Sequence, residues 1–300
     1  MHNLKTNFDK MLGICKQIGK EFTNEYGNIP RRGVIPRFSD LEVVSLSLTA
    51  EALSIDSENL LFSKLESDYK LDFPNLISRR QYNDRRKYLF NLTDSIRKGM
   101  VALIDSTEKV FSIDSKPVEI CRISRSRRSK VGKTDYQRAP SKGFCASHNR
   151  YYYGYKLHAV CGIKGVIHSF DLTKASVHDI HYLNDLKWEL SDCILLGDKA
   201  YISRDIQLDL FETAHIRLEV PYKCNQKDFK PTFKPFKRFR KRIETLFSQL
   251  DDQFLLIRNY AKDVSGIFIR ILAKIAAITA LQYLNKLNNR PIGRVKHALA

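Results

Sequence analysis

The run Val110-Phe-Ser-Ile-Asp114 decides how this chain is read, because an apolar, strand-like segment there ends on a carboxylate. A second run, Cys193-Ile-Leu-Leu-Gly-Asp198, repeats the pattern. A third acid, Glu244, follows a long basic stretch. It borders an apolar stripe of Ile243, Leu246, Phe247, Leu250, Phe254 and Ile257 at helical spacing, on a polar row with Arg240 and Ser248. If the two strands are central neighbours, Asp114 and Asp198 emerge at one edge of a sheet, and Glu244 can lean over that edge. Three clustered carboxylates repel one another unless a cation lies among them. Mg²⁺ or Mn²⁺, two ions per site, suits oxygen ligands and an in-line phosphoryl displacement. The triplet Ile-Asp-Ser occurs at both Asp105 and Asp114. Asp105 opens Asp-Ser-Thr-Glu, a turn sequence, so Asp114 is the candidate.

The surroundings of these acids are cationic. The 300 residues carry 51 Lys and Arg against 33 Asp and Glu, a formal charge of +18. Such an excess favours a nucleic acid over other partners. The N-terminus has no signal-peptide core. The long apolar run Ile267 to Leu287 contains Arg270, Lys274, Gln282, Asn285 and Lys286, and reads as a buried helix with no role in a membrane. The six cysteines lack paired spacing and read as reduced thiols of a cytoplasmic protein. Cys145 and His148 form a lone CxxH without a second pair.

Two regions are expected. Residues 1–104 read as an all-α, DNA-binding part, with capping boxes at Ser39-Asp-Leu-Glu42 and Ser78-Arg-Arg-Gln81. The helix predicted from Ser78 runs to Leu103. Its first turns hold Arg79 and Arg80, and a short helix before a basic one resembles a helix-turn-helix. Residues 105–290 read as an α/β catalytic domain, and 291–300 as a basic tail. Five strands are predicted: Lys109 to Asp114, Tyr151 to Cys161, Val166 to Leu172, Cys193 to Asp198 and Ile216 to Tyr222. Gly162-Ile-Lys-Gly165 turns the second strand into the third. Helical patterns at His178 to Leu190 and Ser203 to Ala214 separate the later strands. The outcome is a mixed sheet flanked by helices.

Basic inserts at about 118–150 and 222–240 break the catalytic domain. Arg122 to Arg150 contains nine Lys or Arg and one acid, and Lys227 to Arg242 contains eight and one. Both read as loops. Tyr136, Tyr151, Phe229, Phe233, Phe236 and Phe239 interleave with the charges, which suits a nucleic-acid backbone and unstacked bases. The DNA-contacting candidates are Arg127, Arg128, Lys130, Lys156, Lys237, Arg240, Lys241 and Arg242, with Arg79 and Arg80. Lys156 and His158 share one strand face. Asp179 reads equally as a first-turn acid or as a site residue, and His178 and His181, which lack a third metal ligand, read as structural.

In their order these segments resemble a family. Phe111-Ser-Ile-Asp-Ser-Lys-Pro-Val118, Tyr153-Gly-Tyr-Lys-Leu-His-Ala159, Leu172-Thr-Lys-Ala-Ser-Val-His-Asp179, Leu196-Gly-Asp-Lys-Ala-Tyr201 and Arg240-Lys-Arg-Ile-Glu-Thr-Leu-Phe-Ser-Gln249 are similar to the DDE transposases of bacterial insertion sequences. The likeness is to the IS4/IS5-like superfamily and most closely its IS982 group. It implies an RNase H-like fold and a Mg²⁺-dependent triad of Asp114, Asp198 and Glu244. It also implies action on the element's terminal inverted repeats in a dimer or larger assembly on DNA. Arg240 matches the arginine of the family's Y-R-E-K pattern, whereas Lys237 and Asp251 stand where that pattern has tyrosine and lysine. Three other readings are a nuclease that cuts without joining, a non-catalytic DNA-binding regulator or inactive copy, and an RNA-binding protein, for which no RRM or KH pattern is present.

Overall fold

Ser39 and Ser78 each close a capping box: their hydroxyls accept from the backbone of Glu42 and Gln81, whose side chains accept from the serine N–H groups. They open two of five leading helices, α1 (Leu4–Gly19), α2 (Asp40–Ala52), α3 (Glu58–Asp68), α4 (Arg79–Tyr88) and α5 (Phe90–Asp105). The computed structural model describes residues 3–146, 149–221 and 234–299. The helix expected from Ser78 to Leu103 is broken at Leu89, whose ψ of 19° leaves the helical basin and whose side chain is buried. The break lets a strongly polar α4 and an amphipathic α5 each turn their own face inward.

The chain continues as β1 (Val110–Cys121), β2 (Ser141–Cys145), β3 (Arg150–Gly162), β4 (Ile167–Lys174), α6 (Leu183–Leu186), β5 (Cys193–Leu196), α7 (Arg204–Ala214), β6 (Ile216–Glu219), α8 (Lys234–Asp252) and α9 (Val264–Leu287). β1 runs antiparallel to β3 and parallel to β5, and β5 runs parallel to β6. On its far side β3 pairs with β2 through residues 150–154 and with β4 through 155–161. Six strands therefore fill five positions. This is the mixed five-position sheet of an RNase H-like fold, three antiparallel positions followed by two parallel ones. Gly165, at φ +80°, makes the expected turn between β3 and β4. Phe111 and Ile113 of β1 join Leu183, Leu186, Leu195, Leu210 and Ile216 in one core beneath α6 and α7.

Several local expectations are corrected. β1 continues past Asp114 to Cys121, because β3 keeps pairing with it after β5 has stopped at Ser112. The first basic insert contains a strand, β2, and is no simple loop. Lys234 to Arg242 is helical, since the stripe of Phe236, Ile243, Leu246, Phe247 and Leu250 is buried. α8 ends at Asp252, so Ile257 lies beyond it and is exposed. His178 to Leu190 holds a 3₁₀ turn at Asp179–Tyr182 and the four-residue α6 in place of one long helix.

The chain divides into two compact units. One comprises residues up to Ile104 together with those from Leu250 onward, and the other is Asp105–Gln249. The boundary at Asp105 coincides with the change in sequence character. The segment beyond Leu250 differs from the expected division, because α9 packs on α2 and α4. α2 and α9 are buried nearly all round, and each supplies the apolar surface the other needs. Lys274 of α9 is fully buried and bonds Glu51 at 2.5 Å and the Phe254 carbonyl at 2.6 Å. α9 is long and apolar enough to cross a membrane by composition, but most of its surface is buried in this unit. The expected tail is also packed: Val295, Ala298 and Leu299 are buried.

Candidate active site

Asp114 owes its position to the unequal lengths of β1's two pairings. Parallel pairing with β5 ends at Ser112↔Leu196. Two residues further along each strand come Asp114 and Asp198, level with each other just past the end of β5. Along β1, Ile113 enters the core while Asp114 and Lys116 take the other face. That face meets α8: Lys116 Nζ lies 5.9 Å from the Phe247 ring centre, and Arg240 reaches Asp114. Asp198 is half-buried and caps the following 3₁₀ turn, accepting from Ala200 N–H at 2.8 Å. Gly197 permits this turn, since a Cβ there would come 3.2–3.3 Å from Tyr201 and Ile113.

The electrostatics tie these groups together. Burial pushes the Asp114 carboxyl up to about 6, the Ser115 N–H and the Arg240 guanidinium pull it down, and Asp198 and Asp179 push it up again. Tyr201 is held far above the ordinary phenol range by burial and by the same three acids. Asp179 is the member whose role the sequence left open between a first-turn acid and a site residue. It ion-pairs with Lys156 at 2.7 Å, and His158 Nδ1 lies 4.0 Å away. It lies five residues past Lys174, the last residue of β4, and in the sequence alone a first-turn acid looks the same. His158 is buried, its Nε2 is 2.8 Å from Thr173 Oγ1, and burial holds its imidazole well below its ordinary value.

Glu244 is exposed on α8, one turn after Arg240. Among the described residues no three His, Cys, Asp or Glu side chains stand together as an ion site. Asp198 and Asp179 both act on the Asp114 carboxyl, and Glu244 stands one turn along α8 from the Arg240 that reaches Asp114. The cationic partner beside Asp114 is Arg240. The donor chemistry still fits a hard divalent ion: carboxylate oxygens on adjacent strand ends, one of them held up in pKa by burial beside further acids.

The DNA-contacting candidates fall into three groups. Arg127, Arg128, Lys130, Lys237, Lys241 and Arg242 are exposed in the sheet unit, and Arg79 and Arg80 are exposed in the helical unit. Arg240 reaches Asp114 through one guanidinium nitrogen, at 3.3 Å. Lys156 is held by Asp179 and donates to the Val177 carbonyl, so it is an internal ion-pair partner. Tyr136 and Tyr151 are exposed, whereas Phe236 is core. Phe229, Phe233, the strand end at Tyr222 and His148 of the lone CxxH lie outside the described residues. Asp105, the other Ile-Asp-Ser acid, is buried and pairs with Lys164 at 2.9 Å and His168 at 3.3 Å. Cys15, Cys121, Cys161 and Cys193 are free thiols.

Comparison with known proteins adds one family and one structure. Residues 105–280 match the family described as "Transposase DDE domain". No curated protein matches the chain. A solved structure titled "Mos1 transposase paired-end complex with left transposon end" is similar at 17% identity and a TM-score of 0.23, covering 87% of this chain and 82% of that one.

Proposed function

Because the chain belongs to the transposase DDE domain family, we propose that it is an insertion-sequence transposase of the IS982 group, acting on the terminal inverted repeats of its own element. It hydrolyses the phosphodiester bond at the element's end, and the freed 3′-hydroxyl then attacks target DNA in the same site. The observation that carries this reading is the level placement of Asp114 and Asp198 past the end of β5, with Arg240 of α8 against Asp114.

The family generally uses divalent metal ions. Here Asp114, Asp198 and Glu244 would hold Mg²⁺ or Mn²⁺, two ions per active site. Such ions supply activation of the attacking oxygen and stabilisation of the leaving one. The chain's own residues orient the DNA. Arg240 offers a guanidinium fork to a phosphate, and Lys237, Lys241 and Arg242 extend that charge along α8. Glu244 follows Arg240 by one turn, on the same row. The exposed Arg127, Arg128 and Lys130, and the helical unit's Arg79 and Arg80, add sequence-independent contacts with the duplex. Pairing two element ends calls for a dimer or larger assembly on DNA, in the nucleoid of a bacterial cytoplasm. Hydrolysis and transesterification need no nucleotide cofactor.

The test is cleavage and strand transfer on labelled DNA carrying the element's ends, with Mg²⁺, Mn²⁺ or EDTA, comparing wild type with Glu244→Gln. Metal-dependent nicking at the boundary, followed by joining and lost in the variant, is expected. Cleavage without joining would make the protein a nuclease. Binding without cleavage under every condition would make it a regulator or an inactive copy.

A further inference from the structure

Glu58, at the start of α3, is the meeting point of three guanidinium groups. Arg86 of α4 approaches it to 3.0 Å, Arg270 of α9 to 3.3 Å and Arg79 of α4 to 4.0 Å. Asn83 donates to both of its oxygens, at 2.9 and 3.0 Å. One carboxylate already saturated by donors offsets one positive charge, and here three converge. The Arg86 and Arg270 side chains are only 6% and 7% exposed, so water screens them poorly. The group lines a cavity of about 670 Å³ within the helical unit. Lys87, Lys262 and Asp263 complete its charged lining, which therefore carries five cations against two carboxylates. Asp263 is occupied by Lys87 at 2.7 Å. Lys262 has no ion-pair partner among the described residues, and both it and Arg79 are exposed.

Burying cations without matching anions is unfavourable, and an incoming anion relieves that cost. We propose that this cavity binds a phosphate group, and that its physiological source is the backbone of duplex DNA. The proposal rests on the DNA-binding reading above and adds a site to it. Arg86 and Arg270 form a fixed, buried floor. Arg79 and Lys262 form an exposed rim, and Arg80 continues the charge beside Arg79. Guanidinium groups match phosphate oxygens in pairs. An exposed cationic rim above a fixed floor suits a polyanion that lies across the surface and presents one phosphate inward.

The experiment is fluorescence anisotropy of the full-length protein with a labelled duplex of arbitrary sequence, in EDTA, over a series of salt concentrations. Arg79→Gln/Lys262→Gln is compared with wild type and with a charge-matched control, Lys20→Gln/Lys64→Gln, two exposed lysines of the same unit. The cavity variant is expected to bind more weakly, with the slope of log K against log salt reduced by about 0.9, the value for one lost phosphate contact. The control keeps the wild-type slope. Both variants alter exposed side chains, and an unchanged melting temperature verifies their fold. An unchanged slope in the cavity variant, or an equal loss in the control, overturns the proposal. Inorganic phosphate and ATP form the second arm. If either raises the melting temperature of wild type but not of the cavity variant while the duplex slope stays unchanged, the site takes free phosphate compounds and the DNA assignment falls. A wild-type protein that binds no duplex overturns the transposase reading as well, whereas wild-type binding matched by the variant overturns the cavity alone.

Discussion

Arg240 sets a guanidinium nitrogen 3.3 Å from Oδ2 of Asp114, joining a helix after the sheet to the sheet's central strand. The pair ties α8 to β1 at the point where β5 stops and Asp198 turns away. Both side chains are about one-fifth exposed, at 21% each, so the contact contributes within about 1 kcal/mol to stability. Its importance is positional. Arg240→Ala is expected to lower DNA cleavage by on the order of 10–100-fold, the usual effect of losing a partner that orients a ligand. The melting temperature should barely move, and Arg240→Lys should restore part of the rate. A large fall in melting temperature would reassign Arg240 to structure.

Asp198→Asn keeps the side chain's size and its acceptor for Ala200 N–H but removes the charge. Cleavage should fall by on the order of 10² to 10³, while anisotropy with labelled duplex shows binding at least as tight as wild type. Loss of binding and cleavage together would count against a catalytic role.

Asp105 tests the choice between the two Ile-Asp-Ser triplets. Burial pushes its carboxyl up, but His168 and Lys164 outweigh burial and leave it below its ordinary value. A depressed carboxylate stabilises the fold above its unfolded pKa of about 3.9 and loses that contribution as pH falls through its lower folded value. Asp105→Asn should therefore lower stability by about 1–3 kcal/mol at neutral pH. The gap from wild type should persist down to about pH 4 and narrow below it, as followed by thermal melts. A gap that does not depend on pH would refute the ion pairs as its source.

Lys274 and Glu51 are both buried, so removing one partner strands the other. Lys274→Met should cost about 3–5 kcal/mol in urea unfolding. Adding Glu51→Leu should recover much of that loss, because an apolar pair no longer contains an unpaired charge. Recovery should stop short of wild type, since the bond to the Phe254 carbonyl is also gone. A double variant no better than the single one would show that packing, not charge, dominates.

The basic face of α8 gives a further prediction. Lys237→Gln/Lys241→Gln should weaken duplex binding and lower the salt slope by up to about 1.8, without changing the melting temperature. An unchanged slope would remove α8 from the DNA-contacting surface.

The sequence by itself determined five strands of the sheet unit, their order and the helix between the last two. Its β-prone runs, the Gly162–Gly165 turn and the serine caps are local signals, and local signals survive in one dimension. The preference for Asp114 over Asp105 rests on signals of the same kind, because a turn and a strand interior differ in their immediate neighbours. Only the tertiary structure decided what depends on residues distant in the chain. β2 was hidden in a charged insert because its pairing partner, β3, supplies the reason for its extension. Asp179 reaches the Asp114 environment through sheet pairing and Lys156, which no spacing rule encodes. Lys156 looked like a free cation on a strand face until its acid partner was placed. α9 belongs with the first helices because two helices buried nearly all round must cover each other, and that requirement acts across more than two hundred residues of chain. The convergence of Arg79, Arg86 and Arg270 on Glu58 has the same origin: charge surplus is a property of a volume, and the volume exists only once α3, α4 and α9 are packed.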